Sequence, residues 1–198
     1  GGAGEDARRF WKVTRWCLVA AIVSGAGWLL TASTLMSSLP IGDALSGRTI
    51  GLILGNTVFG QVFAVRAALL LALVAVLVIL NSASTDPRRL RLRYIALVLA
   101  AAYLGSLAGV GHAIAGDEGG DFTRVAADVV HLLAAGAWLG ALPALVCLLG
   151  QAQMPQEAAS VLRRFSTLGV ICVGSLILSG VVNGWYEVGT FPALVGTD

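Results

Sequence analysis

The chain has 198 residues, 57% of them hydrophobic and 12% charged, whereas a soluble domain carries roughly 25% charged residues. So little charge cannot clothe a surface in water, which excludes an ordinary soluble domain and leaves lipid as the solvent. A net charge of +2 gives no case for a nucleic-acid partner. Cys17, Cys147 and Cys172 each lie within an apolar run, without the spacing of a disulfide framework or a metal finger.

The pattern predicts an all-α polytopic bundle of about five spanning helices, forming a single transmembrane domain over residues 1–198, with about 20 apolar residues per span. Gly1 to Asp6 is polar and Gly-rich and is expected to be a loop rather than a signal peptide, since no small-residue cleavage site follows the first apolar run. The first span is expected over 16–36, preceded by Arg8, Arg9, Lys12 and Arg15. Leu39 to Asn56 is less apolar, with room for a short helix on the membrane surface. The second span is expected over 58–80, and Asn81 to Arg93 is a polar loop rich in arginine. The third falls over 92–113, followed by an acidic loop with Asp117, Glu118 and Asp121. The fourth falls over 124–149, with a kink expected at Pro143. A loop from Gln151 to Arg164 leads to the fifth span, 165–186.

Basic residues concentrate before the first span and in the second-to-third and fourth-to-fifth connections, which alternation places on one side. The positive-inside rule makes that side cytoplasmic, with the Gly1 end inside and the 114–123 loop outside. Gly105 and Gly109, Gly136 and Gly140, and Gly180 and Gly184 have the spacing that lets membrane helices approach closely. A short echo links Ser24-Gly25 and Trp28 with Ser179-Gly180 and Trp185. Beyond it, ILGNTVFG from Ile53 is matched by LVGTD from Leu194.

The chain has two histidines. His112 is expected near the outer end of the third span, on the face of Gly105 and Gly109. His131 is expected about two turns into the fourth, which antiparallel pairing brings within reach of His112. Ionisable groups inside a membrane mark functional sites by default. Asp128 precedes His131 by three residues and follows Arg124 by four, so it shares a face with both. Two roles suit it: partner of Arg124, or ligand or supporting group of a metal at His131. Met36, at the outer end of the first span, offers a thioether suited to Cu(I), beside imidazoles that suit several transition metals. Arg66, early in the second span, is expected to be structural, paired with an acid or reaching for the interface. Trp138, one heptad after His131, suits core packing or a site wall, and Asn183 a structural or supporting role. Trp11, Trp16, Trp28 and Trp185 suit interface anchoring. No phosphate-binding loop or nucleophilic triad occurs, so no enzyme is expected.

HLLAAGAWLGALPAL from His131 and RRFSTLGVICVGSLILSGVVNGW from Arg163 resemble segments of the copper-resistance protein D family, as do NTVFGQVFAVR from Asn56, GHA from Gly111 and the terminal VGTD. The resemblance implies a bacterial inner-membrane protein of about eight spans, acting in copper uptake or resistance beside a periplasmic copper-binding protein of the copper-resistance C type. It maps His112 and His131 onto histidines of the family's pattern. By comparison, one span before Gly1 and two or so after Asp198 are missing. Copper handling, with copper as Cu(I), is thus the first expectation. A membrane electron carrier with haem b between the two histidines is the second, and a non-catalytic assembly subunit the third.

Overall fold

The computed structural model describes residues 2–82, 86–109, 122–152 and 154–188. Every element in them is an α-helix: α1 (Gly2–Ser37), α2 (Ile41–Ala44), α3 (Gly47–Asn56), α4 (Val58–Ser82), α5 (Asp86–Gly105), α6 (Phe122–Gln151) and α7 (Pro155–Val188). Four contain stretches long and apolar enough to cross a bilayer, namely Trp11–Ser37, Val58–Ser82, Phe122–Gly150 and Pro155–Tyr186. Their outward faces are apolar. Leu71, Val146, Val170 and Leu178 are each 71% exposed, which water would penalise and lipid does not. The remaining expected span, 92–113, is described as α5 in its earlier part and lies outside the described residues from 110 on.

Three expected loops are instead largely helical. Helix α1 begins at Gly2, so most of the segment to Asp6 expected as a loop is helical and continuous with the basic residues before the first span. The arginine-rich segment after α4 becomes the start of α5, whose second residue is Pro87, a residue tolerated in a first helical turn because its missing N–H would be unpaired there anyway. Likewise α7 starts at Pro155 and carries Arg163 and Arg164 within it. Charged side chains do not stop a helix; they set how deep it sits. Helix α6 is continuous through Pro143.

The chain divides into two compact units, Gly1–Ala96 and Leu97–Asp198. In the first, α1 ends at Ser37, followed by Ser38 in the left-handed region (φ 53°) and then Pro40, a stop that no continuing helix can pass. The surface helix expected in this connection is α3, capped by Ser46, whose hydroxyl accepts from the Thr49 backbone N–H at 3.3 Å. The turn into α4 is tight. Thr57 Oγ1 donates to the Ile53 carbonyl at 2.6 Å and accepts from the Gly60 N–H at 3.0 Å. Gly60 is buried, and a Cβ there would collide with the backbone of Ile53 and Leu54.

Early α4 packs on α1 through aromatic rings. Trp28 meets Phe59 edge-on, with centroids 4.8 Å apart at 74°, and Phe63 lies 6.4 Å from Trp28 and 6.0 Å from Phe59. Arg66 sits over Trp28, its Cζ 5.8 Å from the ring centroid, so the charge rests on a π-face within the span.

In the second unit α6 and α7 form the main helix pair, and the end of α5 packs on α6. A Cβ on Gly105 would touch Val129 Cγ1 at 3.4 Å, and one on Gly136 would meet the Leu104 side chain. These two glycines do mark close approaches. Gly109, Gly140, Gly180 and Gly184 face open space, so the expected paired-glycine faces are each used at one position or not at all. Small residues dominate what is buried here: Ala108, Ala127, Ala134, Cys172 and Ser179. All three cysteines are free.

Candidate functional site

His131 lies nine residues into α6, about 14 Å along its axis. Its Nδ1 is 3.1 Å from Ser179 Oγ on α7. The Ser179 hydroxyl donates to the Ser175 carbonyl one turn back, at 2.6 Å, and leans toward the Leu176 carbonyl at 3.3 Å. A hydroxyl has one proton. With that proton committed to its own helix, the serine oxygen accepts from His131, which places the imidazole proton on Nδ1. In the neutral ring, Nε2 then carries the lone pair. Ser179 is 4% exposed, so water cannot easily replace either partner.

An imidazole held through one nitrogen with the other free as a base is how proteins present histidine to a metal or proton. The hydrogen-bond partner the structure gives His131 is Ser179 on the neighbouring helix. Asp128 and Arg124 are both half-buried, and neither is without an interaction.

Asn183 stands one turn beyond Ser179 on α7. Its Oδ1 is buried and has no partner among the described residues, so Ser175, Ser179 and Asn183 make a polar seam through an apolar helix. That i, i+4, i+8 pattern is visible in the sequence and is the signal that points to Ser179. The Ser-Gly echo obscures it, because its counterpart Ser24 is exposed whereas Ser179 is buried. Trp138 packs on the same neighbour, its Nε1 3.9 Å from where a Cβ on Gly169 would lie. Seven residues forward on α6 correspond to ten back on α7, as antiparallel helices require. Trp138 is therefore part of the helix contact.

His112 lies outside the described residues. Met36 belongs to the first unit, at the exposed end of α1, and Arg66 belongs there too, over Trp28. Among the described residues no three histidine, cysteine or carboxylate side chains gather into a metal cage.

Long apolar helices with a serine-locked histidine between two of them define a polytopic helical membrane protein with a buried polar site. The chain matches the family described as copper resistance protein D-like, N-terminal domain, over residues 2–123. It belongs to the copper resistance protein D family. Among curated relatives, it is 30% identical over 190 residues to the inner membrane protein YebZ of Escherichia coli K12, covering 95% of this chain and 62% of that one. It is 34% identical over 91 residues to copper resistance protein D of Pseudomonas syringae pv. tomato, covering 43% and 29%. With the copper transport protein CutJ of Bacillus subtilis 168 it shares 31% over 107 residues, covering 52% and 18%. The chain thus spans less than two thirds of each relative's length. No solved structure matches it.

Proposed function

We propose that the chain handles copper in a bacterial inner membrane, taking Cu(I) at a site that includes His131 and passing it into the bundle. The observation that carries this reading is the His131–Ser179 contact, which leaves an oriented nitrogen base inside a span. Imidazole is a good copper ligand, and thioether sulfur favours the cuprous state. In this reading His112 adds a second imidazole to the ligand set and Asp128 stands beside it as ligand or support. Arg124, Trp138 and Asn183 hold the surroundings in place.

In this reading residues 1–198 belong to one transmembrane domain, oriented with its basic ends in the cytoplasm and the 114–123 loop in the periplasm. Copper arrives there from a periplasmic copper-binding protein of the copper-resistance C type. Relatives named for copper resistance and copper transport support this reading. The activity proposed is movement of an ion, not catalysis.

The test is metal analysis of the purified, detergent-solubilised protein after anaerobic exposure to Cu(I) and desalting. Wild type should retain near-stoichiometric copper, and His131→Ala should lose most of it. Iron with a Soret band in place of copper would turn the reading to haem b. Equal copper in both proteins would overturn the role of His131.

A further inference from the structure

The basic end of the first unit holds a groove of about 670 Å³ lined by Arg8, Trp11, Lys12, Arg15, Trp16 and Val19 of α1 and by Asn81 near the end of α4. Its size is that of a small-molecule site, and copper has no use for its chemistry. Arg8, Lys12 and Arg15 fall at i, i+4 and i+7, so they form one stripe along α1, which Val19 continues at i+11. All three cations are exposed, and Trp16 is 67% exposed. Among the described residues no carboxylate lines the groove. Guanidinium, ammonium and indole groups only donate hydrogen bonds. With Asn81 the one lining side chain that can also accept, this set of donors favours an anion rich in acceptor oxygens.

Depth narrows the choice. The groove lies where the spanning stretch Trp11–Ser37 of α1 begins and the spanning stretch Val58–Ser82 of α4 ends, which puts it at headgroup level. Below the cations, α1 continues the same side with Val19, Ile22 and Val23, all exposed. A phosphate bound among the cations would have apolar chain-accepting surface directly beneath it, which a free anion would not use.

We propose that this groove binds an anionic phospholipid, its phosphate among Arg8, Lys12 and Arg15 and its acyl chains along Val19, Ile22 and Val23. Anionic lipid is attracted by juxtamembrane cations generally; the groove makes the attraction local, with Asn81 and the two indoles fixing the headgroup.

The experiment titrates the purified full chain with dioleoyl-phosphatidylglycerol or dioleoyl-phosphatidylcholine and counts bound lipid by native mass spectrometry. Wild type should bind the glycerol lipid at least tenfold more tightly. The variant R8Q/K12Q/R15Q should lose that preference. The variant R88Q/R89Q/R91Q, which removes as many charges from the start of α5, should keep it, and so should R8K/R15K, which shows that the charges rather than the fold are responsible. Equal loss in the two glutamine variants would overturn the groove in favour of diffuse charge. Displacement of the lipid by millimolar inorganic phosphate would overturn the lipid in favour of a free anion. Absence of any preference in wild type would overturn the proposal outright.

Discussion

Replacing Ser179 by alanine removes one oxygen and tests the whole account of His131. In the wild type that oxygen accepts from His131 Nδ1 at 3.1 Å and donates to Ser175 at 2.6 Å. Without it the imidazole loses its anchor, and the proton is free to move to Nε2, the nitrogen that must be bare to bind copper. Loss of such an orienting partner typically weakens metal binding by about 10–100-fold, or about 1.4–2.8 kcal/mol. The stability cost should be smaller, because hydrogen bonds between membrane helices average about 0.6 kcal/mol and the Ser175 carbonyl keeps its helical partner. The expected result is thus a folded protein with weakened Cu(I) affinity, measured by competition with a cuprous chelator. Nitrogen-15 NMR of the imidazole adds a second reading: in metal-free wild type, Nδ1 should be protonated and Nε2 unprotonated. Unchanged affinity in Ser179→Ala, where His131→Ala loses copper, would refute the orienting role. A proton on Nε2 in wild type would refute the tautomer.

Two further outcomes concern the first unit. Gly60→Ala should lower the thermal unfolding midpoint in detergent, with a cost of about 1–3 kcal/mol for overpacking, because the new methyl meets the backbone of Ile53 and Leu54 rather than a side chain that can turn away; Gly55→Ala, which faces open space, should be near neutral. A double-mutant cycle with Trp28→Leu and Arg66→Met should give a coupling of about 0.5–2 kcal/mol for a guanidinium over a ring in a desolvated setting, and a coupling near zero would show that Arg66 does not depend on Trp28.

Copper-resistance relatives cover this chain unevenly, with the family match ending at residue 123 and the histidine on α6 lying beyond it. The similarity to the inner membrane protein YebZ extends over 95% of the chain and so reaches α6 and α7. Functional assignment of His131 therefore depends on its chemistry, and the copper titration carries more weight than the family name.

Composition and run length alone decide that this chain is helical and lives in lipid, because a bilayer admits few other ways to pair every backbone group and each crossing needs a readable length of apolar residues. The histidine within a span, the basic flanks and the tryptophans near span ends are equally plain. Helix ends are less so. The segments up to Asp6, after Ser82 and before Arg163 look like loops because they are polar or charged, yet charge is compatible with helix and only burial penalises it. Tertiary structure alone decides the partners. Nothing in the glycine spacing says that Gly136 lies against Leu104 while Gly140 faces open space, since helix rotation is set by all contacts at once. Nor does proximity in sequence reveal that His131 meets Ser179, 48 residues away. Which polar groups meet inside a bundle depends on the register between α6 and α7, and that register comes from packing along their whole length.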